Sequence, residues 1–179
     1  MLKIENSVLV LVDVQGRLAQ LMYDRAFLLA SLARLLRGMQ RLAVPVIWTE
    51  QNPARMGGTV PELRDLMQGA TPVSKMSFSC VGEPAFVTRL EQFQRRQVLL
   101  AGIETHVCVH QTAADLKGLG YEPHVVADAV SSRTALNRQI GLDRIARGGA
   151  VLTTVEMALF EMMRTAEHPA FKDVLRIVK

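Results

Sequence analysis

The stretch Gln97-Val-Leu-Leu-Ala-Gly-Ile-Glu-Thr-His-Val-Cys108-Val109 runs from an unbroken apolar strand, through glycine, into what reads as the first turn of a helix. A strand with no polar alternation belongs inside a sheet covered on both faces, the arrangement of α/β proteins. The same junction sets a cysteine where unpaired N–H groups and the positive end of the peptide dipoles favour a thiolate and can hold an oxyanion. Two readings of Cys108 stand at this point. It is a nucleophile, or it is a small buried hydrophobe of the kind free cysteine commonly is.

Working outward, Ser7-Val-Leu-Val-Leu-Val12 is a second continuous apolar run, stopped by Asp13. Leu28, Leu29, Leu32, Leu35, Leu36, Met39 and Leu42 recur at three- and four-residue intervals, which predicts an amphipathic helix over Phe27 to Leu42. Val44-Pro-Val-Ile-Trp-Thr49 reads as the next strand, followed by a loop from Glu50 to Thr59 and a short helix over Pro61 to Met67. Thr71 to Lys75 is a brief extended piece. Helices follow over Glu83 to Gln94, Val107 to Leu119, Thr134 to Arg147 and Val155 to Thr165, alternating with strands Val98 to Ala101, His124 to Ala127 and Ala150 to Thr153. Thr153 and Glu156 have capping-box spacing. The alternation predicts one domain over residues 1–179, a three-layer α/β/α sandwich with a mainly parallel flavodoxin-like or Rossmann-like sheet. The C-terminal run Phe171 to Val178 has an apolar face that suits either a neighbouring subunit or the chain's own sheet.

Half of the 179 residues are hydrophobic, enough for a sizeable core. No run approaches the length of a membrane span or a secretory h-region, which points to a cytoplasmic protein without membrane contact, whose Cys80 and Cys108 stay reduced. The net charge is +4, yet the basic residues are scattered and aromatics are few, so no nucleic-acid partner is expected.

Sites in open α/β sheets form beyond the carboxyl ends of the strands. Asp13, Lys75 and Cys108 each follow such an end, and the topology brings all three to one rim. A carboxylate can take the thiol proton and return it to a leaving amine, while an ammonium holds the charges in place. Each has an ordinary reading too: Asp13 as a turn cap, Lys75 as a solvated surface lysine.

Leu11-Val-Asp13-Val-Gln15, Ser74-Lys75, and Ala101-Gly-Ile-Glu-Thr-His-Val-Cys108-Val with Gln111-Thr112-Ala113 resemble the isochorismatase-like cysteine hydrolase superfamily, in its metal-independent, nicotinamidase-related branch. Val126-Ala-Asp128-Ala-Val-Ser131-Ser132-Arg133 and Thr153-Thr-Val-Glu156 extend the resemblance over nearly the whole chain. It implies a catalytic triad of Asp13, Lys75 and Cys108 that hydrolyses amides or related C–N bonds through an acyl-enzyme thioester. It also implies a non-proline cis peptide at Ile103–Glu104, with the N–H groups of Glu104 and Cys108 aimed at the substrate oxyanion. A homo-oligomer belongs to the same expectation.

The chain departs from the metal-using branch. Thr49-Glu50-Gln51-Asn52 stands where an Asp-x-His arrangement would be, and His106 with His110 lacks a third ligand, so no metal and no cofactor is expected. Gln15, Trp48 and Phe78 are expected to line the substrate pocket, and Cys80 to be structural. The rival reading is a non-catalytic binding or scaffold protein that keeps the fold. A redox role for the thiol lacks a resolving cysteine at C-x-x-C spacing.

Overall fold

A computed structural model describes residues 1–67 and 69–179. In chain order the elements are β1 (Ser7–Val12), α1 (Gly16–Gln20), α2 (Arg25–Arg41), β2 (Val46–Gln51), α3 (Pro53–Met56), α4 (Pro61–Arg64), β3 (Val73–Lys75), α5 (Pro84–Gln92), β4 (Gln97–Ile103), α6 (His110–Gly118), β5 (Glu122–Ser131), α7 (Ala135–Arg147), β6 (Val151–Thr153), α8 (Val155–Met163) and α9 (Phe171–Val178). A wide π-type turn, Thr105–Val109, joins β4 to α6. The six strands are all parallel and lie in the order β3-β2-β1-β4-β5-β6. Strand order reverses between β1 and β4, which makes their carboxyl ends the switch point where a crevice opens.

The apolar runs explain the layers. Successive side chains of a strand point to opposite faces. In β1, Leu9 and Leu11 join a core with Leu28, Leu32, Leu35, Leu36 and Met39 of α2. Val8, Val10 and Val12 join the opposite core with Phe86 and Leu90 of α5 and Leu116 of α6. Every residue of β1 and β4 is buried, so an alternating sequence would have placed polar groups under a helix.

α9 packs on the chain's own helices. Val174 is fully buried, Phe171 meets Phe160 edge to face at 6.1 Å between ring centroids, and Arg41 Nε lies 2.6 Å from Asp173 Oδ2. β2 runs to Gln51 and is followed by α3 in the region read as loop, because Asn52 takes a left-handed φ of 40° and Pro53 starts a helical turn without needing a donor. The helix expected over Pro61 to Met67 ends at Arg64. α8 is capped one residue later than expected: Thr154, not Thr153, accepts from Met157 N–H, and Asp128 Oδ1 accepts from Val155 N–H at 2.9 Å. Among the described residues no helix is long and apolar enough to cross a membrane.

Candidate functional site

At the switch point β1 and β4 must approach closely before diverging. Gly102 makes this possible, with φ 116° and no room for a side chain: a Cβ there would stand 2.1 Å from Val12 O. Beyond β1 the backbone turns at Asp13 into left-handed φ of 50°, a conformation aspartate tolerates better than most residues. The turn leaves the Asp13 N–H on Thr49 O of β2 at 3.2 Å and its carboxylate facing the end of β3.

Lys75 Nζ lies 2.6 Å from Asp13 Oδ2 and also donates to the carbonyls of Ser77 and Phe78 at 2.9 and 3.0 Å. The other Asp13 oxygen accepts the Thr49 hydroxyl at 2.7 Å. Asp13, Lys75 and Cys108 are 3, 2 and 6% exposed, which removes the solvated-lysine reading of Lys75. A buried lysine with an ion pair and two carbonyls is satisfied on all three donors.

Cys108 comes from the π-type turn, where Val109 N–H reaches back to Glu104 O and His110 N–H to Thr105 O. Its Sγ is 3.5 Å from Gln51 Oε1. The expected depression of the thiol is overturned: burial, and after it the negative charge of Asp13, push Cys108 up to about 12 against the opposing pull of Lys75. The N–H groups of Val107 and Val109 on either side of Cys108 are both engaged by Glu104 O, and the sulfur is withdrawn from water. Burial and the Asp13 charge thus favour the protonated thiol over the thiolate at Cys108. Cys80 has no exposed surface and is pushed up to about 11, first by burial. Its backbone N–H and thiol sit against Thr112 and Thr49, which fits a structural role.

The Ile103–Glu104 peptide is cis. Among the described residues the Glu104 N–H meets no acceptor. The Glu104 carboxylate is held by Arg133, whose backbone N–H and Nε both donate to Oε1 at 3.1 Å.

A cavity of about 280 Å³ opens on these groups, with walls including Leu18, Met56, Phe78, Ile103 and Val107 around Asp13 and Cys108. Of the three expected lining residues, only Phe78 is there. Trp48 lies in the core beneath α2, beside Val44, Val46 and Met67, because β2 turns that residue to the opposite face from the cavity. Gln15 is fully buried and works as a clamp: its Oε1 accepts from Gln51 N–H at 2.6 Å and its Nε2 donates to Gln51 O and Gly57 O. It thereby fixes the segment carrying Gln51, Asn52, Arg55 and Met56 into the cavity wall. Those four were missed by sequence reasoning. The Asn52-Pro53 pair was the available signal, as a turn followed by a helical start.

His106 Nδ1 pairs with Ser132 Oγ at 3.0 Å, and His110 lies beside Arg144 in a separate hollow. Among the described residues no group of three or more His, Cys, Asp or Glu could hold a metal ion.

The six-stranded parallel sheet with helices on both faces is the fold of the isochorismatase-like hydrolases. The isochorismatase domain matches residues 7–157, and the chain belongs to that family. Isochorismatase domain-containing protein 2 of Bos taurus is 41% identical over 175 residues, spanning 97% of this chain and 83% of that protein. The structure of the MAR1 ribonuclease from Caenorhabditis elegans is similar with a TM-score of 0.92 and 35% identity, covering 99% of this chain and 91% of that one. The YcaC gene product of Escherichia coli, described as an octameric hydrolase of unknown specificity, shares the fold with a TM-score of 0.88 at 23% identity, over 98% and 94% of the two chains.

Proposed function

We propose that residues 1–179 act as one hydrolase domain, which cleaves a small amide or related C–N or carbonyl substrate through a thioester on Cys108. The observation that carries this reading is the buried Lys75–Asp13 pair, 2.6 Å apart, beside a thiol on the same cavity. A buried pair of this kind has desolvation working against it, so stability alone is a weak reason for it.

Cys108 Sγ attacks the substrate carbonyl carbon as its proton passes to the Asp13 carboxylate. The carbonyl electrons move to oxygen, and the N–H groups of Glu104 and Cys108 receive the oxyanion, worth on the order of 3 kcal/mol in the transition state. Collapse breaks the C–N bond, and Asp13 returns its proton to the departing amine. Water then attacks the thioester with Asp13 taking its proton, and the sulfur leaves to recover that proton. Lys75 keeps Asp13 oriented and balances its charge through both halves. Deprotonation concerted with attack suits a thiol that rests protonated.

An RNA substrate is not part of this reading, because the cavity is small and the basic residues form no stripe. The octameric description of the E. coli relative and exposed Tyr23, Phe27, Leu136 and Ile140 support a homo-oligomer. Incubation with a panel of small amides followed by intact-mass analysis tests the mechanism. A Cys108 adduct of acyl mass, absent in Cys108→Ala, is expected. Amide turnover by Cys108→Ala would overturn the thioester mechanism, and binding of amides with no adduct and no product would replace it with the non-catalytic binding or scaffold protein that retains this fold.

A further inference from the structure

The charged side chains on the cavity wall are Asp13, Glu104 and Arg55. Two of the three are already neutralised. Asp13 is paired with Lys75 at 2.6 Å, and Glu104 with Arg133 at 3.1 Å. Arg55 on α3 has no carboxylate within ion-pair distance, and its guanidinium makes no hydrogen bond among the described residues. The nearest carboxylate in sequence, Glu50, is outside the wall and has its Oε1 taken by the N–H and hydroxyl of Thr59 at 2.7 and 2.8 Å. The wall thus carries one uncompensated positive charge, on a chain whose net charge is +4.

The backbone that carries that charge is fixed. α3 is four residues long and is anchored at each end. Asn52 N–H is held by Lys75 O at 2.9 Å, and Gly57 O by Gln15 Nε2 at 2.7 Å. Arg55 therefore sits on a segment tied at one end to the residue that pairs with Asp13. The same cavity is lined by apolar Leu18, Met56, Phe78 and Val107, with the amides of Gln51 and Asn52 as its uncharged polar groups.

We infer that Arg55 binds an anionic group of the substrate, so that the hydrolysed compound is a small amide carrying a carboxylate at the far end of a short apolar spacer. A guanidinium presents two parallel donors to a carboxylate, which would orient the amide carbonyl toward Cys108 and leave the spacer against the aliphatic wall. This rests on the amide-hydrolase reading above and names its substrate class.

The probes are butanamide and the monoamide of butanedioic acid, matched in length and differing in the terminal carboxylate. Direct binding to Cys108→Ala and thioester formation by the intact protein are measured separately. Wild type should favour the anionic probe in both, and Arg55→Gln should reduce that preference by roughly 5- to 50-fold, the range of one charge-assisted hydrogen-bonded contact. Arg55→Lys should recover part of it, and added salt should weaken it in wild type and Arg55→Lys but not in Arg55→Gln. Equal preference in wild type and Arg55→Gln overturns the inference while leaving any Cys108 adduct, and hence the hydrolase reading, intact. Arg55-dependent binding of the anionic probe with no adduct supports the anion site and overturns the hydrolase reading instead. The melting temperature of Arg55→Gln should match wild type, since the side chain is exposed and unpaired.

Discussion

Lys75 Nζ and Asp13 Oδ2 lie 2.6 Å apart, with side chains 0 and 4% exposed, although the residues are 62 positions apart in the chain. The two partners are not equally dependent on each other. Lys75 keeps two carbonyl acceptors if the carboxylate is lost, whereas Asp13 keeps only the Thr49 hydroxyl if the ammonium is lost. Lys75→Met should therefore cost about 3 kcal/mol or more, as for a buried charge stripped of its partner. Asp13→Asn should cost less. Urea unfolding of both variants at pH 7 measures the asymmetry, and the reverse order would contradict this account of the pair.

Asp13 also governs the thiol. Burial and then the Asp13 charge raise Cys108, while Lys75 pulls it down. Asp13→Asn removes a raising influence and leaves Lys75 opposed chiefly by burial, so the sign is a fall from about 12, with more thiolate at pH 8. Alkylation of Cys108 by iodoacetamide at pH 8 should accelerate, by roughly tenfold per unit of fall. Thioester formation from amides should vanish in the same variant, because no base remains for the proton. In wild type Cys108 should still react before Cys80, for reasons of access: it faces the cavity, and Cys80 has no exposed surface. Unchanged alkylation in Asp13→Asn would show that burial alone sets the thiol.

The parts of this molecule that were legible in sequence are those written as runs or periods. Past their first residues, Ser7 and Gln97, the strands Ser7–Val12 and Gln97–Ile103 have no polar position because both faces are covered, and the α2 stripe repeats because one face is. Strand ends then point to Asp13, Lys75 and Cys108 without any knowledge of distance. What escaped reading depends on direction rather than on composition. Trp48 is one residue from Thr49, which touches Asp13, yet the pleat sends it to the other core. Gln15 follows Asp13 by two and still turns back onto Gln51, since the chain has left the strand at a left-handed residue. The charge state of Cys108 was misread because helix geometry suggests a low thiol, while burial and a neighbouring carboxylate act more strongly.

Trp48 gives a direct check of that directional point. It is 5% exposed, and its Nε1 is buried without a hydrogen-bond partner among the described residues. Trp48→Phe removes apolar contact and also removes an unsatisfied donor, effects of opposite sign. The net change should stay within about 1.5 kcal/mol. Thioester formation should be unaffected, because the ring is on the far side of the sheet from Cys108. A large rise in KM for the panel amides would return Trp48 to the substrate pocket.

The turn that carries Cys108 is itself held by a close approach of α7. A Cβ at Gly141 would lie 2.9 Å from His106 N, 3.0 Å from His106 Cα and 3.1 Å from Thr105 C, all backbone of the turn. Gly141→Ala must move either α7 or the turn, and the turn is the smaller unit, with its N–H groups bonded five residues back. Displacement of Cys108 by a fraction of an ångström should lower kcat by roughly ten- to a hundredfold, with KM changed little. Gly118→Ala is the matched control, since nothing stands within 4 Å of a Cβ there. That variant should be unchanged in kcat and more stable by about 0.5–1 kcal/mol, the ordinary gain of alanine over glycine in a helix. Equal kcat in the two variants would mean that α7 does not set the position of Cys108.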